Sequence, residues 1–429
     1  TGLLLLPIAH HGAGFTPFLD AMFTAVSAVT VTGLVVVDTG AYWTGFGQAV
    51  LLVLSFIGGL GFMTAAAFLL IIVGQRIGLQ SQLAIREGLG VRDLGGLPAL
   101  IRRIVILALT LQVIGAILLF LRFYVFGSLW DGISLGTALW HSVFLAVSAF
   151  NNAGLSILPS GLVGGESLVG FRDDLLVLGI VGVLILLGGL GYLVIFDVLL
   201  IRRPRRFSLE TKIVLIASAI LVALGATLIF ILERDNDAIA EDRSLGDRTV
   251  EAVFHSVAAR TAGFAIVDHA DKRQSTHLVT QVLMFVGGAS ASTAGGIKIN
   301  TFAVIVLAVV ATIRGRRHVA SFGREIPDAL IRRALVIGAV VTAVLVAFVV
   351  VLTAVEDQPL SDLLFETVSA IGTVGLSTGA TAALSDPGRV VIATAMFVGR
   401  FGPLTLALLM TGREAPRAYR YATERVRIG

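Results

Sequence analysis

The chain has 429 residues, of which 56% are hydrophobic and only 14% are charged. Soluble domains usually carry about 25% charged residues, so this composition excludes an ordinary water-soluble globular protein. There is no cysteine, which excludes disulfides, thiolate nucleophiles and cysteine metal sites. The formal net charge is +4, and we expect the basic residues to mark membrane topology rather than a nucleic-acid surface.

Long apolar runs recur along the chain. A helix needs about 20 apolar residues to cross a bilayer core of roughly 30 Å. The abrupt apolar start at 1–7 predicts the tail of a first, truncated span. Seven further segments are long enough to cross: 47–73, 101–121, 175–201, 211–232, 278–313, 330–354 and 388–411. We therefore predict an all-α integral membrane protein with eight transmembrane helices.

The charged residues predict the orientation of these spans. Acidic or mixed connections include 233–248 and 356–362. Because basic loops stay in the cytoplasm, we predict a multi-pass protein whose basic loops and both termini are cytoplasmic. The basic clusters follow the ends of apolar runs, at 76–103, 202–212, 314–333 and 413–427.

A pattern of about 110 residues occurs four times. Each copy has a short apolar stretch that ends in a glycine, and each stretch is too short to cross a bilayer. These stretches are Phe23–Gly33, Phe144–Gly154, Val253–Gly263 and Phe365–Gly375, with serine six residues before the glycine in three copies (Ser27, Ser148 and Ser369). A second landmark recurs in the following span, at Gly58-Gly59, Gly188-Gly189, Gly287-Gly288 and Gly399-Arg400. This internal repeat predicts four covalently linked span–pore helix–span units around one central pore, with boundaries at 1–75, 76–210, 211–320 and 321–429.

The glycine turns predict an ion filter. Unpaired backbone groups facing lipid cost several kcal/mol each, so such turns must line water or pack within protein. Four turns can converge so that their carbonyls replace the hydration shell of an ion. The absence of Asp or Glu near the turns in sequence favours potassium over ions bound by carboxylates; the alternative is glycines that only let helices pack closely. The predicted potassium filter is Val31, Thr32, Gly33, Asn152, Ala153, Gly154, Thr261, Ala262, Gly263, Thr373, Val374 and Gly375.

A gate is predicted below the filter. The second span of the third repeat carries a run of glycine, serine and alanine, which is a poor helix and predicts an intramembrane loop. Arg400 stands at the equivalent depth in the fourth repeat, where a buried arginine is costly and a candidate for function. We predict that loop and arginine constrict the inner pore; the alternative is that Arg400 anchors helix ends through a salt bridge. The predicted gate residues are Gly287, Gly288, Ser290, Ser292, Thr293, Gly295, Gly296, Lys298 and Arg400.

Two further features receive structural interpretations. Arg260 lies three residues before Gly263, where a cation would repel potassium. We expect its side chain to turn away and pair with an acid such as Glu251 or Asp268. The seven histidines are scattered without metal-ligand spacing, and we expect ordinary roles for all of them.

These motifs resemble those of the Trk/Ktr/HKT potassium transporters, and the chain is most similar to the Ktr-type translocating subunit. The resemblance covers essentially the whole chain. It is carried by AMFTAVSAVTVTGLVVVDTG (21–40), GGLGFMT (58–64), NNAGLS (151–156), RTAGF (260–264), GGASASTAGGIKINT (287–301), GTVGLST (372–378) and GRFGPLT (399–405).

The resemblance implies potassium uptake across the plasma membrane, with potassium held by carbonyls at and just before the four glycines. It implies that the broken third-repeat helix and Arg400 form the gate. It further implies a homodimer in membrane lipid, resting on a cytoplasmic ring of a separate nucleotide-binding regulatory protein. No covalent cofactor is expected; potassium is the substrate and sodium is expected as an activator. Some sodium-preferring plant relatives have serine at the first filter glycine, so Gly33 supports potassium.

Two alternatives have different signatures. A sodium-coupled secondary transporter predicts inverted repeats, whereas the four copies here are parallel. An intramembrane enzyme needs a nucleophile with a base, or paired acids within the spans. Asp197 is the only acid well inside the visible apolar runs, so the chain is not expected to be an enzyme.

Overall fold

The structure is a computed structural model that describes residues 1–72, 96–126, 133–158, 167–201, 203–240 and 243–411. The predicted repeat boundary at residue 76, the basic stretch 76–95 and the C-terminal tail from residue 412 lie outside the described residues.

Four short helices form at the four predicted apolar stretches. Ser134 and Ser244 cap the second and third of these helices, because each hydroxyl accepts a backbone N–H three residues on. A serine cap at the start and a glycine turn after the end limit these two helices to lengths that are too short to cross a membrane. The short helices, numbered 1 to 4 below, are Phe18–Thr30, Leu135–Asn151, Leu245–Ala258 and Leu360–Gly372.

A long apolar helix precedes short helices 2, 3 and 4, and we call these helices leading spans 2 to 4. They are Leu97–Phe120 (continued by a π-helical turn, Leu121–Val125), Leu209–Leu232 and Asp328–Val355. Large apolar side chains such as Ile114, Ile220 and Val350 are exposed on these helices, as expected for surfaces that face lipid. Before short helix 1, residues 1–6 form hydrogen-bonded turns rather than an α-helix, so the predicted first span stays a prediction.

The helix after each short helix is called a return span, and three of the four are interrupted. Return span 1 (Gly45–Leu60 and Phe62–Ile72) bends by 103°, and return span 2 (Leu175–Leu190 and Tyr192–Ile201) bends by 99°. Gly61 and Gly191 occupy the two corners with φ of 80° and 86°, in the left-handed region that favours glycine. Return span 3 consists of Gln274–Phe285 and Ile299–Ile313 around a non-helical segment, whereas return span 4 (Asp386–Thr411) is continuous.

The predicted break in the third repeat is present as the non-helical segment between Gln274–Phe285 and Ile299–Ile313. The bends of return spans 1 and 2 were not predicted from the sequence. By length and apolar composition, three helices of the described residues could cross a membrane, or five if each bent pair counts as one span. The full count of eight spans remains a prediction. Between return span 3 and leading span 4, the strands Ala320–Ser321 and Arg324–Glu325 pair antiparallel.

The helices pack in a closed cycle. Return span 1 packs against short helix 2, return span 2 against short helix 3, and return span 3 against short helix 4. Return span 4 packs against short helix 1 and closes the cycle. The C-terminal ends of the four short helices are thereby brought together.

Candidate ion pathway

The four turns that follow the short helices share one backbone conformation. In every copy, a residue other than glycine adopts positive φ two positions before the glycine, which is uncommon. These residues are Val31, Asn152, Thr261 and Thr373, with φ of 59°, 57°, 64° and 49°. The glycines Gly33, Gly154, Gly263 and Gly375 then have φ of 93°, 65°, 74° and 95°. The sequence repeat thus corresponds to a structural repeat of helix and turn.

The four glycines meet in a closed ring. A Cβ built on Gly33 would lie 3.0 Å from Cα of Gly154, and one on Gly154 would lie 3.0 Å from Cα of Gly263. A Cβ on Gly263 would lie 3.2 Å from Cα of Gly375, and one on Gly375 would lie 3.0 Å from Cα of Gly33. The ring therefore follows chain order and closes the fourth turn onto the first.

Backbone carbonyls line this ring. Each added Cβ would also approach the carbonyl oxygen of the residue before the next glycine: Ala153 at 2.5 Å, Ala262 at 3.0 Å, Val374 at 2.4 Å and Thr32 at 2.1 Å. There is no room for a side chain at Gly33, Gly263 or Gly375, and a Cβ at Gly154 would be very tightly packed. The other predicted filter residues, two before each glycine, are at most 1% exposed, so all twelve lie within four adjoining turns.

The serines found in three copies hold the turns in place. The hydroxyl of Ser27 accepts the N–H of Gly33 at 3.0 Å, and that of Ser369 accepts the N–H of Gly375 at 3.1 Å. In the second repeat, the Ser148 hydroxyl donates to the carbonyl of Leu155 at 2.6 Å. Each serine therefore links its short helix to the glycine or to the residue directly after it.

The second glycine landmark lets the return spans approach the turns. A Cβ on Gly58, Gly188 or Gly399 would lie 1.9–2.2 Å from a backbone carbonyl at the end of a short helix, namely that of Val29, Phe150 or Ile371. Any larger residue would push the return span away from the turn. At these positions the glycines serve close packing, as small residues do between membrane helices.

The predicted loop Gly287–Lys298 is non-helical and lies beside these turns. Its two ends are joined, because the N–H of Gly287 donates to Ile297 O at 2.9 Å and the N–H of Ile299 donates to Gly288 O at 3.0 Å. A Cβ on Gly295 would collide with the Thr373 hydroxyl at 1.8 Å. The loop therefore touches the fourth glycine turn.

Return span 2 holds the middle of the loop. The N–H of Ala289 donates to Gly189 O at 2.9 Å and the N–H of Thr293 to Gly188 O at 3.2 Å, while Tyr192 N–H donates to Ala291 O at 3.0 Å. The carbonyls of Gly188 and Gly189 are free to accept these hydrogen bonds because return span 2 breaks at Gly191. The break in the second repeat thus provides a binding place for the loop of the third.

Arg400 joins this loop to the first repeat. Its Nη1 donates to Thr293 O at 2.5 Å, and its Nη2 donates to Gly58 O. Among the described residues no carboxylate lies within ion-pair distance of Arg400, so no salt bridge of the kind that the anchor alternative predicts is found there. Lys298 donates to Ala294 O within the loop itself.

The remaining gate residues also lie in the loop. Ser292 donates its hydroxyl to Ala289 O at 2.6 Å, and the Ser290 N–H donates to the Asn300 side chain at 3.3 Å. Gly296 has φ of 64°. The predicted gate residues therefore form one compact segment in contact with Arg400.

Among the described residues Arg260 pairs with no acid, and the two predicted partners, Glu251 and Asp268, were wrong. Glu251 pairs with Arg172 at 2.5 Å, and the Asp268 carboxylate caps the N–H of Ala270. The Arg260 side chain does turn away from the ring, towards leading span 3. The distance in sequence between Arg260 and the two acids did not indicate that each acid binds another group.

A carboxylate that the sequence analysis missed lies beside the fourth turn. Glu366 is fully buried on short helix 4, nine residues before Gly375. It accepts the Ser377 hydroxyl and the Thr378 N–H, each at 2.8 Å, and the Thr381 hydroxyl. Because helix and turn fold back on each other, this acid fixes the segment directly after Gly375.

Three of the histidines, which are scattered in sequence, lie close together between short helix 3, the loop after it and return span 3. The rings of His255 and His269 lie 4.9 Å apart, and those of His269 and His277 lie 6.4 Å apart. Lys272 contacts Nδ1 of His255. Among the described residues no group of acids and histidines has the geometry of a metal site, so this cluster is a buried polar contact between a loop and two helices.

This cluster predicts a pH dependence of stability. Burial lowers the pKa of the Lys272 ammonium to about 7, whereas in the unfolded chain it keeps its ordinary value near 10.4. Between about pH 7 and pH 10 the unfolded state therefore binds the additional proton, so the free energy of unfolding rises with pH. Thermal unfolding in detergent should show Tm rising over this range. Lys272→Met should remove part of that rise, and equal slopes for the two proteins would contradict a lowered pKa of Lys272 in the folded state.

Long apolar helices packed around four helix–glycine turns are typical of a multi-pass integral membrane protein. Residues 6–416 match the family model described as TrkH, cation transport protein. The chain belongs to this TrkH family of cation transport proteins.

Its similarity to individual proteins extends over nearly its whole length. It is 40% identical to the Ktr system potassium uptake protein B of Bacillus subtilis (strain 168), over 94% of this chain and 87% of that protein. It is 38% identical to the protein of the same name from Vibrio alginolyticus, over 100% and 91%. It is 34% identical to the potassium/sodium uptake protein NtpJ of Enterococcus hirae, over 100% and 93%.

A solved structure shares the fold. The potassium transporter TrkH from Vibrio parahaemolyticus superposes with a TM-score of 0.71, covering 93% of this chain and 79% of that chain, at 18% sequence identity. The recognition of the Trk/Ktr family from the sequence motifs is thus confirmed.

Proposed function

We propose that this chain takes up potassium across the plasma membrane through the ring formed by Gly33, Gly154, Gly263 and Gly375. The observation that carries this proposal is the closure of the ring, in which each glycine faces the carbonyl of the residue before the next glycine. Such carbonyls can replace the hydration shell of a large, weakly hydrated cation. The names of the relatives from Bacillus subtilis and Vibrio alginolyticus support potassium as the cargo. Potassium uptake through this ring is the activity that the arrangement favours, rather than enzymatic chemistry or sodium-coupled secondary transport.

The short helices contribute to the attraction of cations. The C-terminal end of a helix carries about half a negative charge, and all four short helices end beside the ring. This field favours a cation without a ring of carboxylates. In this arrangement Glu366 supports the filter from behind and does not act as an ion ligand, since its oxygens already accept from Ser377, Thr378 and Thr381.

The loop Gly287–Lys298 acts as the gate in this proposal, with Arg400 as its latch. Arg400 bridges Thr293 O of the loop and Gly58 O of return span 1. Opening then requires that these two hydrogen bonds break and that the loop leave Gly188 and Gly189. Sodium as an activator would act on this equilibrium, and its effect is measurable as a change in potassium flux.

The wider assembly belongs to the same proposal. Four units with boundaries at 1–75, 76–210, 211–320 and 321–429 surround one pore, and the basic loops and both termini face the cytoplasm. The names of two relatives refer to a Ktr system, which supports a membrane subunit that works with other components. We expect a homodimer on a ring of a separate nucleotide-binding regulatory chain; the mass of the detergent-solubilised protein tests the dimer.

Ion flux into liposomes tests the proposed function. The purified chain should admit potassium and largely exclude sodium under equal gradients. Gly375→Ala should reduce potassium flux at least about tenfold, because its Cβ would lie 2.1 Å from Thr32 O at a φ of 95°. Gly182→Ala is the matched control, since its Cβ would meet only Phe254 at 4.0 Å. Equal potassium and sodium flux, or equal flux in the two variants, would place the pathway elsewhere.

A further inference from the structure

The third filter turn is held differently from the other three. In repeats 1, 2 and 4 a serine six residues before the glycine supplies a hydroxyl to the turn. In the third repeat that position is Val257, which is 4% exposed and has no hydroxyl. The N–H of Gly263 donates instead to Ala258 O, at 3.3 Å. The third turn therefore lacks the side-chain support that the others share.

Arg260 supplies a contact at the same turn that no other repeat has. It lies three residues before Gly263, where the other copies carry Thr30, Asn151 and Gly372. Its Nη1 donates to Ser218 O at 3.3 Å and its Nη2 to Ser218 Oγ at 3.2 Å. Ser218 is on leading span 3 and is 6% exposed. The guanidinium thus connects the third turn to the helix behind it.

The burial of this arginine is energetically costly. Arg260 is 7% exposed, and its Nε has no hydrogen-bond partner. Among the described residues no carboxylate pairs with it. Removing a charge from water without a counter-ion costs several kcal/mol, and only the C-terminal end of short helix 3 offers partial compensation. A core position that served packing alone would be occupied at lower cost by an apolar residue.

We propose that Arg260 is a positioning residue of the ion pathway: held by Ser218, it fixes the third filter turn as a serine hydroxyl fixes the other three. This inference rests on the proposed function, because it assigns Arg260 to the filter of that function. The backbone supports the comparison, since Thr261 has φ of 64° where Val31 has 59°. A serine introduced at position 257 would therefore stand in the same relation to Gly263 as Ser27 does to Gly33.

Substitution with rescue tests the proposal in liposomes. Arg260→Gln should lower the ratio of potassium to sodium flux about fivefold to tenfold, because the third turn loses its attachment. Ser218→Ala should lower the ratio less, and adding it to Arg260→Gln should change nothing further, as expected for residues that act through one contact. Val257→Ser alone should leave the ratio unchanged, but in the Arg260→Gln background it should restore most of it.

The outcomes separate this inference from the proposed function. If the unmodified chain does not prefer potassium, the proposed function fails first. If it does and Arg260→Gln keeps the same ratio, or Val257→Ser does not restore a lowered one, the positioning role is overturned and Arg260 contributes to stability only. Should Arg260→Gln fail to fold, Ser218→Ala decides alone: a lowered ratio supports the proposal, and an unchanged ratio at equal Tm overturns it.

Discussion

Arg400→Ala is expected to raise cation flux by about tenfold or more. The guanidinium donates to Thr293 O and to Gly58 O, and hydrogen bonds to charged groups contribute about 1.5–3 kcal/mol each. About 1.4 kcal/mol corresponds to a factor of ten in an equilibrium constant. Loss of both bonds therefore favours displacement of the loop by at least that factor, provided that the closed state predominates in the unmodified protein. Potassium flux per reconstituted protein measures the effect.

Arg389→Ala is the matched control for this prediction. Arg389 lies on the same helix but pairs with Asp20 at 2.9 Å, away from the loop. This substitution removes an arginine and an ion pair without touching Thr293 or Gly58, so flux should remain within about twofold of the original. The flux of Arg400→Lys should lie between those of the original protein and Arg400→Ala, because one ammonium does not reproduce the two hydrogen bonds of a guanidinium. Unchanged flux in Arg400→Ala would rule out a latch.

Gly33→Ser is expected to lower the preference for potassium over sodium about tenfold. Gly33 has φ of 93°, and a Cβ there would lie 2.5 Å from Ala153 O. The first turn must move to admit the side chain, and the hydroxyl offers an additional oxygen ligand at the ring. A less regular ring of oxygens no longer matches the large cation, so sodium competes better. Parallel potassium and sodium flux into liposomes gives the ratio directly.

Gly179→Ser provides the comparison for this substitution. A Cβ at Gly179 would meet nothing within 4 Å, and the residue lies on return span 2, so the flux ratio should stay unchanged. The relative named potassium/sodium uptake protein NtpJ makes the ratio, rather than potassium flux alone, the informative quantity. If both serine variants keep the original ratio, the ring does not select the ion.

The sequence predicted the positions of the short helices and of the turns closely. Their apolar stretches recur with the same spacing before Gly33, Gly154, Gly263 and Gly375, and each stretch ends at a residue with the positive φ that glycine readily adopts. The third-repeat break was also predicted from composition, because glycine and serine are poor helix formers.

Other features could not be read from the pattern. Gly61 and Gly191 lie within apolar runs in which a glycine is as compatible with a straight helix as with a corner. The similarity of the four repeats also gave no sign of how the third one differs. The replacement of serine by Val257 can be interpreted only once the contact between Arg260 and Ser218 is known. Glu366, nine residues from its glycine, was overlooked because its distance from the turn in space is set by the fold.

By itself the sequence determined that this is a helical membrane protein and predicted four similar units, since apolar length and repeat spacing are local properties of the chain. The tertiary structure decided how the units meet: in a closed cycle, with the loop of the third repeat bound by return span 2 and by Arg400. The physical reason is that backbone carbonyls freed by a helix break can accept any suitable donor within reach. Which donors these carbonyls bind depends on packing between segments far apart in sequence, and no local sequence pattern determines it.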